Sequence, residues 1–259
     1  MQASIHPSAI VDPKSEIGAQ VTIGPFCIVK EGVRIKKGTT LLSHVVVEGS
    51  TEIGENCTIH PFASIGMAPQ DLKYKGENTR LVIGDNNIVR EYASIHRASV
   101  GGDGSTVIGN DNFLMGYVHI AHDCKVGNSV IMANGVNLSG HVTVENHVVI
   151  GGLSGLHQYT RVGEYAMVGG ASKIVQDAPP YMIVAGHEAK LFGLNTIGLK
   201  RHGFDDSEVN DLKKAYKILF REKRTLSDAI MKINAEIPVT DHIRHLITFI
   251  EENKRGICR

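Results

Sequence analysis

The chain has 259 residues, of which 42% are hydrophobic, and its length suits one large domain or a domain with an appendage. The 27 basic and 27 acidic residues give a formal net charge of zero, which argues against a nucleic-acid partner, and 5% aromatic residues without tryptophan predict a core of aliphatic side chains. The N-terminus lacks the pattern of a signal peptide and no apolar run is long enough to span a bilayer, so we expect a cytoplasmic protein without stable membrane insertion.

A six-residue repeat organises the first two thirds of the chain. Steps of six from Ile5 reach an aliphatic residue each time up to Ile65, and the pattern resumes at Ile83 and, after a one-residue slip, runs from Ile108 to Ile174. The following residue is often glycine, and the residue two positions earlier is mostly small or β-branched. This period predicts short strands and corners that stack into a coil. It resembles the hexapeptide-repeat family, which implies an all-β left-handed parallel β-helix over residues 1–185.

Two polar, glycine-rich segments interrupt the repeat at residues 67–82 and 100–107. Each can loop out of a coil without breaking the stack, and loops on a rigid scaffold often carry functional residues. The cysteines have no C-x-x-C spacing, which argues against a zinc knuckle or a disulfide framework. Three of them fall at the small position of the repeat and are expected inside the coil: Cys27, Cys57 and Cys124.

The remaining residues, 186–259, are predicted to form a connecting segment up to residue 204 and then a small α-helical domain. Ser207, Thr225 and Thr240 are the expected N-caps of three short helices, the last of which should run to about Lys254. We expect these helices to cover an open end of the solenoid.

The densest polar cluster lies between Tyr117 and Cys124. It contains His122 and Asp123 at positions of the repeat that a corner should expose. With three hexapeptides per coil, later coils stack further polar residues over this corner, and four histidines are therefore predicted to form one wall: His119, His122, His141 and His157.

Several short sequence motifs resemble those of the UDP-N-acetylglucosamine O-acyltransferases that begin lipid A synthesis. They are IAHDC, NLSGHV, GLHQY, QDLKYKGE and IHR. The match continues through GLKRHGF at residues 198–204. The resemblance implies transfer of an (R)-3-hydroxyacyl group from acyl carrier protein to the 3-position of UDP-N-acetylglucosamine. It also implies a homotrimer with its site between adjacent subunits, and neither a cofactor nor a metal.

A sugar hydroxyl needs a base within hydrogen-bond reach, and imidazole has a suitable pKa, so His122 is the predicted general base. By resemblance Asp123 orients it, and the backbone N–H of Gly140 binds the oxyanion. The family pattern places the residue that limits acyl-chain length at Gly170. It assigns substrate binding to Gln70, Asp71, Lys73, His119, His141, His157, Gln158, Asn195 and Arg201.

The chain departs from the family pattern at His202 and Ile197, where a second arginine and a glutamate are expected. Contacts with the diphosphate or uridine are therefore left open, as is the acceptor atom, because the same base could serve a 3-amino UDP-sugar. In the first predicted helix, Lys213, Lys217 and Arg221 recur every four residues and should share one face. We expect this face to dock the acidic carrier protein.

The sequence has three other functional interpretations. A zinc enzyme similar to γ-class carbonic anhydrases would take its ligands from His119, His122 and His141, but it would leave the first looped-out segment without a role. A non-catalytic scaffold or ice-binding solenoid would not need the histidine wall. The N-acyltransferase of the same pathway normally carries an N-terminal uridine-binding domain, whereas the repeats here begin at Ile5.

Overall fold

The structure is a computed structural model that describes residues 2–259. Its first part is a stack of short strands, most of them two residues long. In chain order these are β1 (Ser4–Ile5), β2 (Ile10–Val11), β3 (Glu16–Ile17), β4 (Thr22–Ile23), β5 (Ile28–Val29), β6 (Arg34–Ile35), β7 (Thr40–Leu41), β8 (Val46–Val47), β9 (Ser50–Ile53), β10 (Thr58–Ile59), β11 (Ser64–Met67), β12 (Arg80–Ile83), β13 (Ile88–Val89), β14 (Ser94–His96), β15 (Ser105–Ile108), β16 (Phe113–Leu114), β17 (His119–Ile120), β18 (Lys125–Val126), β19 (Ile131–Met132), β20 (Asn137–Leu138), β21 (Thr143–Val144), β22 (Val149–Ile150), β23 (Gly155–Leu156), β24 (Arg161–Val162), β25 (Met167–Val168) and β26 (Lys173–Ile174).

Every third strand pairs in parallel with its counterpart in the next coil, which produces three sheets around a triangular cross-section. Sheet A begins with β1, β4 and β7, sheet B with β2, β5 and β8, and sheet C with β3, β6 and β9. We call the turns between them the AB, BC and CA corners. The expected left-handed parallel β-helix is confirmed.

The core is the column of aliphatic residues that the repeat predicts. Leu41, Ile59 and Leu114 on sheet A are each 0% exposed, and the three solenoid cysteines are buried as expected. Burial of one such side chain contributes about 1.5–3 kcal/mol. Ile5 in the first coil is 45% exposed, because no coil lies beneath it.

Most corners contain one residue in the left-handed region of φ. Asp123 and His141 have φ values of 60° and 61° although neither is glycine. That conformation costs a non-glycine residue about 1–2 kcal/mol, and hydrogen bonds between stacked coils offset this cost. The His141 N–H, for example, donates to the His122 carbonyl of the preceding coil at 3.0 Å. The backbone thus fixes where these polar side chains leave the coil.

Both interruptions of the repeat leave the solenoid at the BC corner. The first loop runs over residues 68–79 between β11 and β12, and the second over residues 97–104 between β14 and β15. The first loop is shorter than expected at residues 67–82, whereas the second is as long as expected at residues 100–107 but begins three residues earlier. Both loops end early because β12 and β15 are four-residue strands that pair with each other and so extend the coil wall.

The segment after the solenoid is more ordered than the expected connecting segment. β27 (Met182–Ala185) continues sheet A in parallel with β25, and β28 (Lys190–Leu194) returns antiparallel to it. A short helix, α1 (Thr196–Arg201), follows. None of this was predicted, because the hairpin depends on pairing with the last coil rather than on a local pattern.

Three longer helices complete the chain: α2 (Asp206–Phe220), α3 (Leu226–Glu236) and α4 (Asp241–Glu251). Thr225 and Thr240 cap α3 and α4 as predicted. Ser207 was the wrong N-cap for α2, because Asp205 forms a reciprocal capping box with Glu208 and so satisfies two backbone N–H groups.

The helices cover the last coils through polar and aromatic contacts. His245 of α4 lies 2.9 Å from Glu145, and the Arg161 guanidinium lies 4.3 Å from the ring centre of Phe249. The hydrogen bond to Glu145 raises the pKa of His245 although burial opposes this. In residues 2–259, no helix combines the length and the apolarity that a bilayer span requires.

Candidate active site at the BC corner

The BC corner stacks polar residues from successive coils. His122 and Asp123 follow β17, Gly140 and His141 follow β20, and the pair His157–Gln158 follows β23. The strands before them are in register, since His119 pairs with Asn137 and Asn137 pairs with Gly155. The six-residue repeat therefore sets the vertical spacing of these side chains.

His122 and Asp123 form a hydrogen-bonded pair. His122 Nδ1 lies 2.8 Å from Asp123 Oδ2, and only 2% of the Asp123 side chain is exposed. When Nδ1 donates its proton to this carboxylate, Nε2 carries the free lone pair that a general base needs. Asp123 is held in turn, because its backbone N–H donates to Thr106 Oγ1 at 2.9 Å.

His141 completes the polar surface above this pair. Its ring meets the His122 ring edge-on at 5.2 Å and stacks on Tyr159 at 4.5 Å. Burial lowers the pKa of His141, although the neighbouring Asp123 carboxylate opposes this shift. The imidazole of His141 is therefore mostly neutral near neutral pH and can donate or accept a hydrogen bond.

Gly140 lies directly against the His122 ring. A Cβ atom at this position would lie 2.6 Å from His122 Cε1, so any side chain would displace the imidazole. Among the backbone hydrogen bonds of residues 2–259, none uses the Gly140 N–H as a donor. A free backbone donor thus lies beside the candidate base.

The first loop brings Asp71 to the same corner. Asp71 Oδ2 accepts a hydrogen bond from Ser99 Oγ at 2.6 Å, and Oδ1 accepts one from the Lys73 N–H at 3.0 Å. The Ser99 hydroxyl is the main cause that lowers the pKa of Asp71, so this carboxyl is ionised. Gln70 and the Lys73 side chain are exposed on the same loop.

Sequence reasoning did not find Ser99 and Thr106. Ser99 belongs to the second loop, and Thr106 belongs to β15, which follows it. The break in the repeat was the available signal, but it did not indicate which residues of the segment turn inward.

The predicted wall of four histidines is divided. The rings of His122 and His141 meet, but His119 lies on the outer face of sheet B, where its Nδ1 is 2.7 Å from Ser94 Oγ. His157 lies on the other side of His141, with Nδ1 2.9 Å from the Arg255 guanidinium. His119 therefore lies on a sheet face, whereas the other three histidines lie at the BC corner on successive coils.

Two further predicted residues belong to α1 and its N-cap, which lie beside sheet A and across the solenoid from the BC corner. Asn195 and Arg201 border a cavity of about 650 Å³ over the outer face of that sheet. The Asn195 side chain is buried, accepts from the Gly198 N–H at 3.1 Å and donates to the Tyr165 carbonyl at 2.9 Å, so it also holds α1 in place. The other residues around the cavity are Ile131, Val149, Met167, Ile183, Leu194, Thr196, Ile197, Gly198 and His202.

The remaining predicted residues lie apart from both groups. Gly170 is exposed at the AB corner. Lys213 and Lys217 are exposed on α2, whereas the Arg221 side chain folds back and donates to the Tyr216 hydroxyl at 2.6 Å. The predicted row on α2 is therefore two free lysines and one engaged arginine.

The three-histidine zinc site of the alternative hypothesis does not converge. The potential ligand atoms that approach one another within 4.8 Å belong to His122, Asp123 and His141, and they do not include His119. Asp123 Oδ2 already accepts hydrogen bonds from His122 and from the Ser99 N–H. This arrangement favours acid–base chemistry at His122.

Two family models match the chain. Residues 177–258 match "Udp N-acetylglucosamine O-acyltransferase; Domain 2", and residues 32–67 and 105–140 match the bacterial transferase hexapeptide repeats. Both matches agree with the division into repeated coils and C-terminal helices.

Curated relatives are similar over nearly their full length. An acyl-[acyl-carrier-protein]–UDP-N-acetylglucosamine O-acyltransferase from Thermodesulfovibrio yellowstonii is 61% identical over 98% of this chain and 99% of the relative. The protein of the same name from Syntrophobacter fumaroxidans is 48% identical over 98% and 99%. The solved structure of LpxA from Acinetobacter baumannii aligns with a TM-score of 0.95 and 46% identity, over 98% of this chain and 99% of that chain.

Proposed function

The chain belongs to the UDP-N-acetylglucosamine O-acyltransferase family, and on that premise we propose that the BC corner is the site of its acyl transfer. The enzyme moves an acyl group from acyl carrier protein to UDP-N-acetylglucosamine, the first step of lipid A biosynthesis. The acyl group is an (R)-3-hydroxyacyl chain, and the acceptor is the sugar 3-hydroxyl.

The observation that carries the mechanism is the His122–Asp123 pair beside the free Gly140 N–H. His122 Nε2 removes the proton of the sugar hydroxyl as its oxygen attacks the thioester carbonyl. The Gly140 N–H donates to the oxyanion of the tetrahedral intermediate. When the C–S bond breaks, the imidazolium returns its proton to the leaving thiolate, and Asp123 keeps the ring oriented throughout.

The residues around this pair bind the acceptor. Asp71 and Lys73 on the first loop hold the sugar and its phosphate, and Gln70 lies beside them. His141, His157 and Gln158 border the same corner on the solenoid, and His119 binds from the adjacent outer face of sheet B. The base would also deprotonate a 3-amino acceptor, but the names of the relatives favour the hydroxyl.

Asn195 and Arg201 reach the nucleotide from a second copy of the chain. In one chain their cavity lies on the opposite side of the solenoid from His122, so a complete site requires the sheet A surface of a neighbour at the BC corner. Three such contacts close a ring, which makes the enzyme a homotrimer.

The distribution of surface residues supports this assembly. The outer residues of sheet C are largely charged and form ion pairs between coils, as in Glu16–Arg34. The AB corner instead carries a row of closely spaced rings, with neighbouring centres 4.8–5.1 Å apart. This aromatic row consists of Phe26, His44, Phe62, Tyr92 and Tyr117. Because exposed aromatic surface is typical of interfaces, the AB corner faces the threefold axis.

Replacement of His122 by alanine tests the mechanism. We expect kcat to fall by about 10²–10⁴-fold, because the general base is lost, while the oligomeric state stays unchanged. The measurement is turnover of purified enzyme with UDP-N-acetylglucosamine and an acyl carrier thioester. His6→Ala, at an exposed position in the first coil, is the matched control and should keep normal turnover. Near-normal kcat in His122→Ala would refute the assignment.

A further inference from the structure

We propose that Ser99 is a positioning residue that couples the sugar-binding carboxylate of Asp71 to the His122–Asp123 pair. This inference rests on the proposed function of that site. Ser99 is not among the residues that the family resemblance assigns, and it does not touch the reacting atoms.

Ser99 binds two carboxylates with two different donors. Its backbone N–H donates to Asp123 Oδ2 at 3.0 Å, and its hydroxyl donates to Asp71 Oδ2 at 2.6 Å. The Asp123 oxygen is the one that also accepts from His122 Nδ1 at 2.8 Å. The loop carboxylate of Asp71 and the His122–Asp123 pair of the corner are thus linked in one hydrogen-bonded chain through Ser99, which is 2% exposed.

The link matters because one carboxylate lies on the solenoid and the other lies on a loop. Asp123 lies on the rigid corner after β17, whereas Asp71 lies on the first loop, between β11 and β12. Within its own loop, the Asp71 carboxylate accepts a hydrogen bond from the Lys73 N–H, two residues away. The Ser99 hydroxyl therefore fixes the loop carboxylate relative to the corner, and hydrogen bonds to ionised groups are among the stronger ones.

The second loop is itself held firmly enough to act as this support. A Cβ atom at Gly102 would lie 2.2 Å from Asp123 Oδ1, so the loop backbone packs directly on the catalytic carboxylate. At the start of the loop, Arg97 donates to the Gly66 carbonyl at 2.7 Å and to the Tyr74 hydroxyl at 3.2 Å. Tyr74 belongs to the first loop, so Arg97 and Ser99 join the two loops at two points.

The two donors of Ser99 can be separated by mutation. Ser99→Ala keeps the backbone N–H on Asp123 and removes only the bond to Asp71. The catalytic pair should therefore stay intact while the sugar-binding carboxylate loses its fixed position. We expect the KM for UDP-N-acetylglucosamine to rise about tenfold, with kcat within about twofold and the KM for the carrier thioester unchanged.

Three variants distinguish positioning from a general structural role. Ser99→Thr retains the hydroxyl and should restore most of the affinity for the UDP-sugar. Ser105→Ala removes a buried hydroxyl that binds Asp103 after the same loop, and it should leave both KM values unchanged. In an Asp71→Ala background, Ser99→Ala should add little, because residues that act through one another are not additive.

The outcomes separate this inference from the proposed function. If His122→Ala abolishes turnover but Ser99→Ala leaves the KM for the UDP-sugar unchanged, the coupling is wrong and the mechanism stands. A full additive loss in the Asp71→Ala background, or an equal loss in Ser99→Thr, also overturns the coupling. Absence of acyl transfer by the unaltered enzyme would instead overturn the proposed function.

Discussion

At the scale of single residues, the active-site corner depends on backbone positions that the solenoid makes available. Asp123 and His141 occupy left-handed turns, and Gly140 between the coils leaves room for the His122 ring. A side chain at Gly140 would strike the imidazole, so the proposed oxyanion donor and the space for the base come from the same residue. The proposed chemistry therefore uses residues that the corner geometry already positions.

Gly170 gives a test at this scale. It is exposed at the AB corner, and a Cβ there would lie 3.4 Å from the Gly152 carbonyl oxygen, a contact that the backbone accommodates. We propose that the acyl chain passes this position, so Gly170→Met should shorten the groove. The kcat/KM for the longest 3-hydroxyacyl donor should fall about tenfold, comparable with loss of about two buried methylene groups.

The measurement is a series of acyl carrier thioesters of increasing chain length. Lys37→Met, at an exposed position of an early coil, provides a control for the added side chain and should not change the profile. An unchanged chain-length preference in Gly170→Met would place the end of the groove elsewhere.

At the scale of elements, α2 presents two different faces. Leu212, Ala215 and Ile218 are buried against the rest of the protein, while Lys213 and Lys217 are exposed one turn apart. Lys214 is paired with Asp211 at 3.1 Å, and Arg221 is engaged with Tyr216. The charge free to meet an acidic partner is thus concentrated in the two lysines.

If this face docks the carrier protein, the double change of Lys213 and Lys217 to Glu should raise the KM for the acyl carrier thioester several-fold. The effect should shrink at high salt, because ions screen such steering, and the KM for the UDP-sugar should hardly change. Steady-state kinetics at two ionic strengths provide the measurement, with Lys37→Glu as the charge-reversal control. Equal loss of affinity for both substrates, or for neither, would contradict docking at α2.

At the scale of the whole molecule, the two halves of the proposed site lie on opposite sides of one solenoid. The His122–Asp123 pair is at the BC corner, and Arg201 is at the cavity on sheet A. In the proposed trimer, the charged surface of sheet C faces outward and the aromatic row of the AB corner faces inward. Activity should therefore depend on assembly.

The double variant Phe62→Glu/Tyr92→Glu tests this dependence. These side chains are each 47% exposed, so the change should leave the coil folded while it brings like charges together at the threefold axis. We expect the trimer to dissociate and kcat/KM to fall more than about tenfold, since each site loses its neighbour. Light scattering and circular dichroism report mass and folding.

Gln20→Glu, which places the same charge in a left-handed turn at the CA corner, should remain trimeric and active. A trimer that persists in the double variant would show that the aromatic row does not lie at the subunit interface.

The sequence by itself determined the solenoid, because each hexapeptide forms its strand and buries its aliphatic residue by the same local rule. The same locality explains why Thr225 and Thr240 could be assigned as caps. It also explains why His141 could be placed one coil beyond the His122–Asp123 pair. Ser207 was misassigned because Asp205 and Glu208 satisfy each other's backbone, a reciprocal contact that outweighs a single hydroxyl.

Only the tertiary structure decided which side of the triangle each polar residue faces and how the two loops meet. It separated His119 from His122, placed Arg201 across the solenoid, and brought Ser99 between Asp71 and Asp123. The Ser99 contacts join residues that are distant in the chain, and both Ser99 and Asp71 belong to segments outside the repeat. No periodic pattern specifies such contacts, because they arise when loops of irregular sequence pack against a corner that the repeat has already built.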